Sequence, residues 1–270
     1  MIGIFDSGLG GLTVVKSILK ILPQYQIMYL GDTARLPYGN RSRELIYIFT
    51  KEAIDYLFKQ GCTMIIIACN TSSAQVLRKI QQEYLPKFYP GKKVLGVVRP
   101  LSEEAARVTK NNRVGVIGTR GTIASGAYIR ELEAQNSRIK VFQNACPLLV
   151  PLIEEGWLEK TETKKMLRLY LKPLKDKKID TLILGCTHYQ IVFSQIVKIA
   201  SKRVCVLNPG DTVAKSLQNY LGRHPEIEKN LVKGTAHQYY ATEITEIFLH
   251  NAQKWLGQKI HLQSAVIEKS

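Results

Sequence analysis

Short apolar runs alternate with longer amphipathic stretches along the whole chain. The runs over 2–5, 26–30, 63–68, 93–97, 114–117, 140–143, 181–184 and 204–207 are bounded by polar and turn-forming residues, and they read as strands. Between them, the stretches over 12–22, 43–59, 73–84, 101–110, 124–133 and 161–177 carry apolar residues three or four apart, the spacing of one helix face. The tail, 241–256, reads as a further helix. Strand–helix alternation of this kind predicts an α/β fold with mainly parallel sheets.

The pattern also echoes itself. Thr63-Met64-Ile65-Ile66-Ile67-Ala68-Cys69-Asn70-Thr71 resembles Asp180-Thr181-Leu182-Ile183-Leu184-Gly185-Cys186-Thr187-His188. Each is an apolar strand that ends in cysteine and runs through polar residues into a helix. At nearly the same spacing, Ile2-Gly3-Ile4-Phe5-Asp6-Ser7 is echoed by Val114-Gly115-Val116-Ile117-Gly118-Thr119. Two elements repeating together predict two similar α/β domains related by a pseudo-two-fold axis. The crossovers are expected near 96–100 and 208–211. The first domain is then 1–97 plus 209–270, and the second 98–208.

Composition narrows the class. With 45% apolar and 22% charged residues the chain is ordinary globular protein, which excludes extensive disorder. Its apolar runs are too short to cross a bilayer, and no basic segment precedes a long apolar one at the N-terminus. The 5 cysteines are odd in number and widely spaced, without a Cys-x-x-Cys pair. That argues against disulfides and zinc, and for a reducing cytoplasm in which thiols are free to do chemistry. The histidines and cysteines show no ligand spacing, so no metal is expected. The net charge of +16 is that of a basic surface or of an anionic partner. Much of it lies over 160–178, where lysines interleave with Met166, Leu167, Leu169, Tyr170 and Leu171, as on a surface helix with one buried face. No nucleic-acid-reading motif accompanies it, so neither specific nucleic-acid binding nor a membrane is expected.

Four motifs carry candidate chemistry. Phe5-Asp6-Ser7-Gly8-Leu9-Gly10-Gly11 takes a strand through a Gly-rich turn into a helix, where free backbone N–H groups favour a carboxylate or phosphate. It lacks the Gly-Lys-Ser/Thr ending of a Walker loop and the spacing of a dinucleotide fingerprint. A plain strand–helix turn is its alternative reading. The segment from Gly31 to Ser42, dense in turn residues, follows a strand at the end where α/β proteins bind ligands; an ordinary exposed loop is its alternative. Ala68-Cys69-Asn70-Thr71-Ser72 and Gly185-Cys186-Thr187-His188-Tyr189 each put a cysteine where a strand gives way to a helix, whose N-terminus stabilises a thiolate. A single such cysteine is ordinarily a small buried apolar residue. Two in equivalent positions of facing domains put one sulfur on each side of a cleft, as racemisation requires: one thiol removes a proton and the other delivers one to the opposite face. A cysteine hydrolase with His188 activating Cys186 is the competing chemistry, but it gives the second cysteine no role.

These motifs, in this order from Ile4 to about Asp211, closely resemble the glutamate racemase family, within the wider aspartate/glutamate racemase group. Gly118-Thr119-Arg120-Gly121-Thr122 and Pro151-Leu152-Ile153-Glu154 resemble family segments as well. The resemblance implies interconversion of L- and D-glutamate without pyridoxal, metal or other cofactor, the D-glutamate supplying peptidoglycan and cell-wall synthesis. It implies two α/β domains with the active site in the interdomain cleft, and a homodimer. It makes Cys69 and Cys186 the acid/base pair, with Cys69 deprotonating D-glutamate and Cys186 L-glutamate. Asp6 and His188 would assist the thiols and line the substrate site. Ser7, Asn70, Thr71 and Thr187 would supply donors to the α-amino-acid groups, and Tyr38 and Gly39 would meet the side-chain carboxylate. Thr119 and Glu154 are further carry-overs.

The chain departs from the family at Arg99, where Glu before proline is usual, and at Asn208-Pro209, where Asp-Ser is usual. Both fall near the crossovers and bear on hinge and interface behaviour more than on chemistry. Two alternatives stand beside glutamate racemisation: a racemase or isomerase for another small acid such as aspartate, and a basic binding protein. Retention of both cysteine motifs speaks against the second.

Overall fold

Strand Ile2–Asp6 (β1) is buried along its whole length, as a run apolar on both faces must be. The computed structural model describes residues 1–268. Ile2 and Ile4 enter the larger of two apolar cores and Phe5 the other, following the two-residue period of a strand. Burying side chains of this size contributes about 1.5–3 kcal/mol each. Around β1 lie Ile27–Gly31 (β2), Met64–Ile67 (β3) and Lys93–Gly96 (β4). A second group comprises Arg113–Gly118 (β5), Lys140–Ala145 (β6), Thr181–Gly185 (β7) and Cys205–Val206 (β8). Gln238–Ala241 (β9) and Leu262–Ser264 (β10) complete the set.

The strands form two sheets, ordered β10-β9-β2-β1-β3-β4 and β6-β5-β7-β8, and every strand ladder is parallel. The segment β2-β1-β3-β4 and the sheet β6-β5-β7-β8 have the same order, with β1 matching β5 and β3 matching β7. These are the strands that echo each other in sequence. In each sheet the chain leaves the central strand to one side and returns on the other, so the carboxyl ends of β1 and β3, and of β5 and β7, flank a topological switch point. The fold is α/β with two similar parallel units.

Helices tie the units together. After β8 the chain enters helix Pro209–Arg223, which packs on helix Leu12–Ile21 beside the first sheet and on helix Val98–Val108. Ser17 Oγ donates to Asp211 Oδ1 at 2.9 Å across the first of these contacts. Asn208, one of the departures from the family pattern, caps this helix by accepting from the Asp211 amide at 3.2 Å. Arg99, the other, is exposed and pairs with Glu103 at 2.8 Å on its own helix.

Several elements differ from the sequence reading. The helix expected over 73–84 begins at Asn70 and is broken, because Val76 leaves helical backbone at φ −126°. Short helices Asn70–Gln75, Leu77–Lys79 and Leu85–Phe88 flank a π-helical turn, Ile80–Tyr84. The helix expected over 124–133 is two, Arg120–Ala124 and Ala127–Gln135, separated at Gly126 with φ 64°. The helix expected over 101–110 starts at Val98, because Pro100 in the first turn needs no amide partner. The helix expected over 241–256 is present as Glu246–Leu256, and the strands that flank it, β9 and β10, which the sequence reading lacks, extend the first sheet past β2.

Candidate active site

The loops that leave β1, β2 and β3 meet those that leave β5 and β7. Asp6, the last residue of β1, is fully buried, and its Oδ2 accepts the Gly11 amide at 2.8 Å. Thr187, on the loop after β7, places Oγ1 3.4 Å from Asp6 Oδ1. The glycine-rich turn is shaped by this meeting. A Cβ on Gly10 would stand 2.5 Å from Thr187 Oγ1 and 2.7 Å from His188 Nδ1, and one on Gly11 would stand 2.6 Å from Asp6 Cβ. Burial raises the Asp6 carboxyl above its ordinary 3.8, while the His188 charge and the amides of Gly11, Gly8 and Ser7 oppose that shift.

Cys69 immediately precedes the short helix Asn70–Gln75, and its Sγ lies 3.4 Å from Ser7 Oγ. Burial pushes this thiol above its ordinary 9.0 and the Asp6 carboxylate pushes it the same way; Ser7 and Ser72 offset part of the rise. Cys186 is also buried, with Sγ 3.9 Å from His188 Nδ1, within reach of a hydrogen bond to sulfur. The α-helix start expected after Cys186 is instead a 3-10 turn, Thr187–Val192, and the group set against this sulfur is the imidazole. On the other side of His188, Glu154 Oε1 lies 3.1 Å from Nε2, close enough for an ion pair but without the alignment of a hydrogen bond. Burial disfavours charge on His188, but Cys186 and Glu154 outweigh it and hold the imidazolium well above the ordinary 6.5. Trp255 stands edge-on to His188, with ring centroids 5.8 Å apart.

The remaining expected residues gather around the same point. Asn70 Oδ1 accepts from Tyr128 Oη at 2.6 Å. Thr71 Oγ1 lies 3.0 Å from Thr119 Oγ1 and 3.3 Å from Thr122 Oγ1, so the short helix after β3 of the first unit touches the start of the helix after β5 of the second. Gly39 sits against the same turn, where a Cβ would stand 2.7 Å from Thr119 Cβ. The Tyr38 hydroxyl is engaged within its own loop, donating to Asp32 Oδ2. What that loop presents at Gly39 is therefore backbone. Asp6, Ser7, Tyr38, Gly39, Cys69, Asn70, Thr71, Thr119, Cys186, Thr187 and His188 thus form one constellation.

Tyr128, Thr122, Asp32 and Trp255 also belong to it and were not found by sequence reasoning. Tyr128 and Trp255 lie on helices whose only sequence signal is amphipathic spacing. Asp32 and Thr122 stand inside recognised motifs but were not singled out. Among the described residues, no group of three or more His, Cys, Asp or Glu side chains is placed to hold a metal ion, and no helix is long and apolar enough to cross a membrane.

Chemically, the arrangement is two buried thiols on equivalent strand ends. One stands beside a hydroxyl and a carboxylate and the other beside an imidazole. Residues 2–217 match the family described as Asp/Glu/Hydantoin racemase. A glutamate racemase of Oceanobacillus iheyensis is 41% identical, over 100% of this chain and 96% of its own. Among solved structures, a glutamate racemase isoform from Bacillus anthracis superposes with a TM-score of 0.91 at 34% identity, covering 99% of this chain and 97% of that one. The glutamate racemase of Francisella tularensis, solved with D-glutamate, gives 0.87 at 36% identity, over 98% and 96%.

Proposed function

The chain belongs to the Asp/Glu/hydantoin racemase family, and from that premise we propose that it interconverts L- and D-glutamate by proton transfer through Cys69 and Cys186. The observation that carries this reading is the repeated strand order, which sets Cys69 after β3 and Cys186 after β7, while the end of β1, the neighbour of β3, meets the segment after β7 at Asp6 and Thr187. The α-proton of an amino-acid zwitterion is very weakly acidic, because the adjacent carboxylate is already anionic. The site must therefore stabilise the negative charge that grows as the proton leaves. Ser7, Asn70, Thr71 and Thr187 are donors held in place before the reaction, so they stabilise that charge without reorganising.

From L-glutamate, Cys186 takes the α-proton and Cys69 gives its own to the opposite face; from D-glutamate the roles reverse. Burial and Asp6 favour a protonated Cys69, the state needed for a donor in the first direction. His188 is placed to receive or return a proton at Cys186. The backbone at Tyr38 and Gly39 takes the side-chain carboxylate. The two halves of the site come from 1–97 with 209–270 and from 98–208, taken as two domains that close on the substrate and exclude water. In the same reading the enzyme is a cytoplasmic homodimer whose D-glutamate goes to peptidoglycan.

Circular dichroism of purified protein with L-glutamate and no added cofactor tests the proposal. The signal decays to zero as the racemate forms. A constant signal over hours with L-glutamate removes the reading, and decay with L-aspartate in its place transfers it to the smaller acid.

A further inference from the structure

We propose that Thr242, in the C-terminal segment, is a positioning residue for the substrate loop and acts through the buried carboxylate of Asp32. The inference rests on the reading of Tyr38 and Gly39 as the side-chain-carboxylate site.

Asp32 is fully buried, and its two oxygens divide their partners. Oδ2 accepts from the Tyr38 hydroxyl and, at 2.6 Å, from Arg35 Nε, whose guanidinium also pairs with Glu52. Oδ1 accepts from Thr242 Oγ1 at 3.0 Å. The same hydroxyl accepts the Ala34 amide at 2.9 Å, so one side chain from the tail satisfies a carboxylate oxygen and a backbone amide of the loop. The neighbouring contacts keep it there. The Thr242 amide donates to Gly31 O at 3.0 Å, and Thr33 Oγ1 exchanges hydrogen bonds with Glu243, donating to its carbonyl at 2.6 Å and accepting from its amide at 2.9 Å.

Tyr38 is almost wholly buried, its ring tilted against Phe5 at 6.3 Å and Phe49 at 5.6 Å, in the same apolar cluster as Cys69. Its hydroxyl fixes where Gly39 meets Thr119. Without the Thr242 hydroxyl, Oδ1 of the buried Asp32 loses its partner, and the Ala34 amide, at the exposed edge of the loop, is left to solvent. The carboxylate then reorients to recover donors, and the anchor under Tyr38 moves. The thiols, on other strands, keep their places. The consequence is weaker binding with the proton transfers intact.

The test compares wild type, Thr242→Val, Thr242→Ser, Tyr38→Phe and the Thr242→Val/Tyr38→Phe double variant in steady-state racemisation of L-glutamate, with melting curves for each. Thr242→Val raises KM about five- to tenfold and leaves kcat within about twofold. Thr242→Ser, which restores the hydroxyl, returns KM to within about twofold of wild type. The double variant is no worse than Tyr38→Phe alone, because both changes act through one carboxylate. Thr242→Ala, which adds no branched methyl group, carries the same expectation if the valine variant does not fold. An unmoved KM in Thr242→Val or Thr242→Ala overturns the inference, as does a Thr242→Ser variant equally impaired, or a fall in kcat that tracks loss of melting temperature. A wild-type enzyme inactive on glutamate sinks the proposed function; an active wild type with an unmoved variant KM sinks this inference alone.

Discussion

Thr187 Oγ1 stands 3.4 Å from Asp6 Oδ1, so the residue that follows one cysteine touches the carboxylate ending the strand that pairs with the other cysteine's strand. Asp6 is coupled to both halves of the constellation: its field raises the Cys69 thiol, and it in turn feels His188. Asp6→Asn preserves size and much of the hydrogen bonding but removes the charge. We expect kcat to fall about 10²-fold or more while KM changes little, because the group manages protons in the transition state. Steady-state kinetics decide it: a large rise in KM with unchanged kcat makes Asp6 a binding group.

The glycine-rich turn makes a steric prediction with an internal control. A Cβ at Gly10 would stand 2.9 Å from the His188 backbone nitrogen as well as 2.5 Å from Thr187 Oγ1, so Gly10→Ala must push the Cys186 loop back. A displacement of this kind costs about 10²-fold in turnover when it moves a reacting group by an ångström. Gly222, exposed in helix Pro209–Arg223, has nothing within 4 Å of its Cβ position, and its alanine variant is expected to gain about 0.5–1 kcal/mol of stability with full activity. Denaturant melts and activity on the same preparations check both. A fully active Gly10→Ala enzyme removes the close approach as the reason for glycine there.

His188 links stability to pH. Its folded pKa lies well above the ordinary 6.5: burial opposes the charge, and Cys186 and Glu154 more than restore it. A raised folded pKa means that the native state holds the proton more tightly than the unfolded chain. The stabilisation is therefore complete below 6.5 and is lost as pH rises through the folded value. Melting temperatures of wild type and His188→Asn, taken from about pH 5 to about pH 9, should differ most at the acid end and converge as pH rises. Asp6 and Cys69 titrate in both proteins, so subtraction removes most of their contribution. A gap that is flat, or that widens with pH, contradicts a charged His188.

The cysteine pair was legible in sequence because a strand buried on both faces leaves an apolar run, and the same run recurs before Cys69 and before Cys186. Strands β1 and β5 stood out for the same reason. The strands β9 and β10 did not, since short stretches such as Gln238–Ala241 carry too little alternation to separate a strand from a helix turn. Partnerships across long chain separations were equally silent. Nothing local to Tyr128 announces that its hydroxyl serves Asn70, or that Asp32 will depend on Thr242. The 3-10 turn after Cys186 was hidden as well, because Thr187-His188-Tyr189 is compatible with either kind of helix start.

The two thiols carry the sharpest prediction. With one sulfur on each face of the substrate, Cys69→Ser and Cys186→Ser should each abolish most racemisation, since a hydroxyl is a far poorer base than a thiol near neutral pH. In deuterated solvent, the wild-type product gains solvent label early while the remaining substrate gains little, because the incoming proton comes from the second thiol. Each variant keeps one base, so each is expected to eliminate a good leaving group from a β-substituted analogue of a single enantiomer. Cys186→Ser should act on the D form through Cys69, and Cys69→Ser on the L form through Cys186. Cys62, Cys146 and Cys205 supply the controls: burial pushes Cys62 up to about 11 and raises Cys146 further, and Cys205 pairs with Thr181 at the start of β7, the end of that strand away from Cys186. Serine at those three positions should cost stability alone. Near-normal racemisation by Cys186→Ser would leave that sulfur a buried core atom and end the two-thiol mechanism. A common enantiomer preference in the two variants would put both sulfurs on the same face.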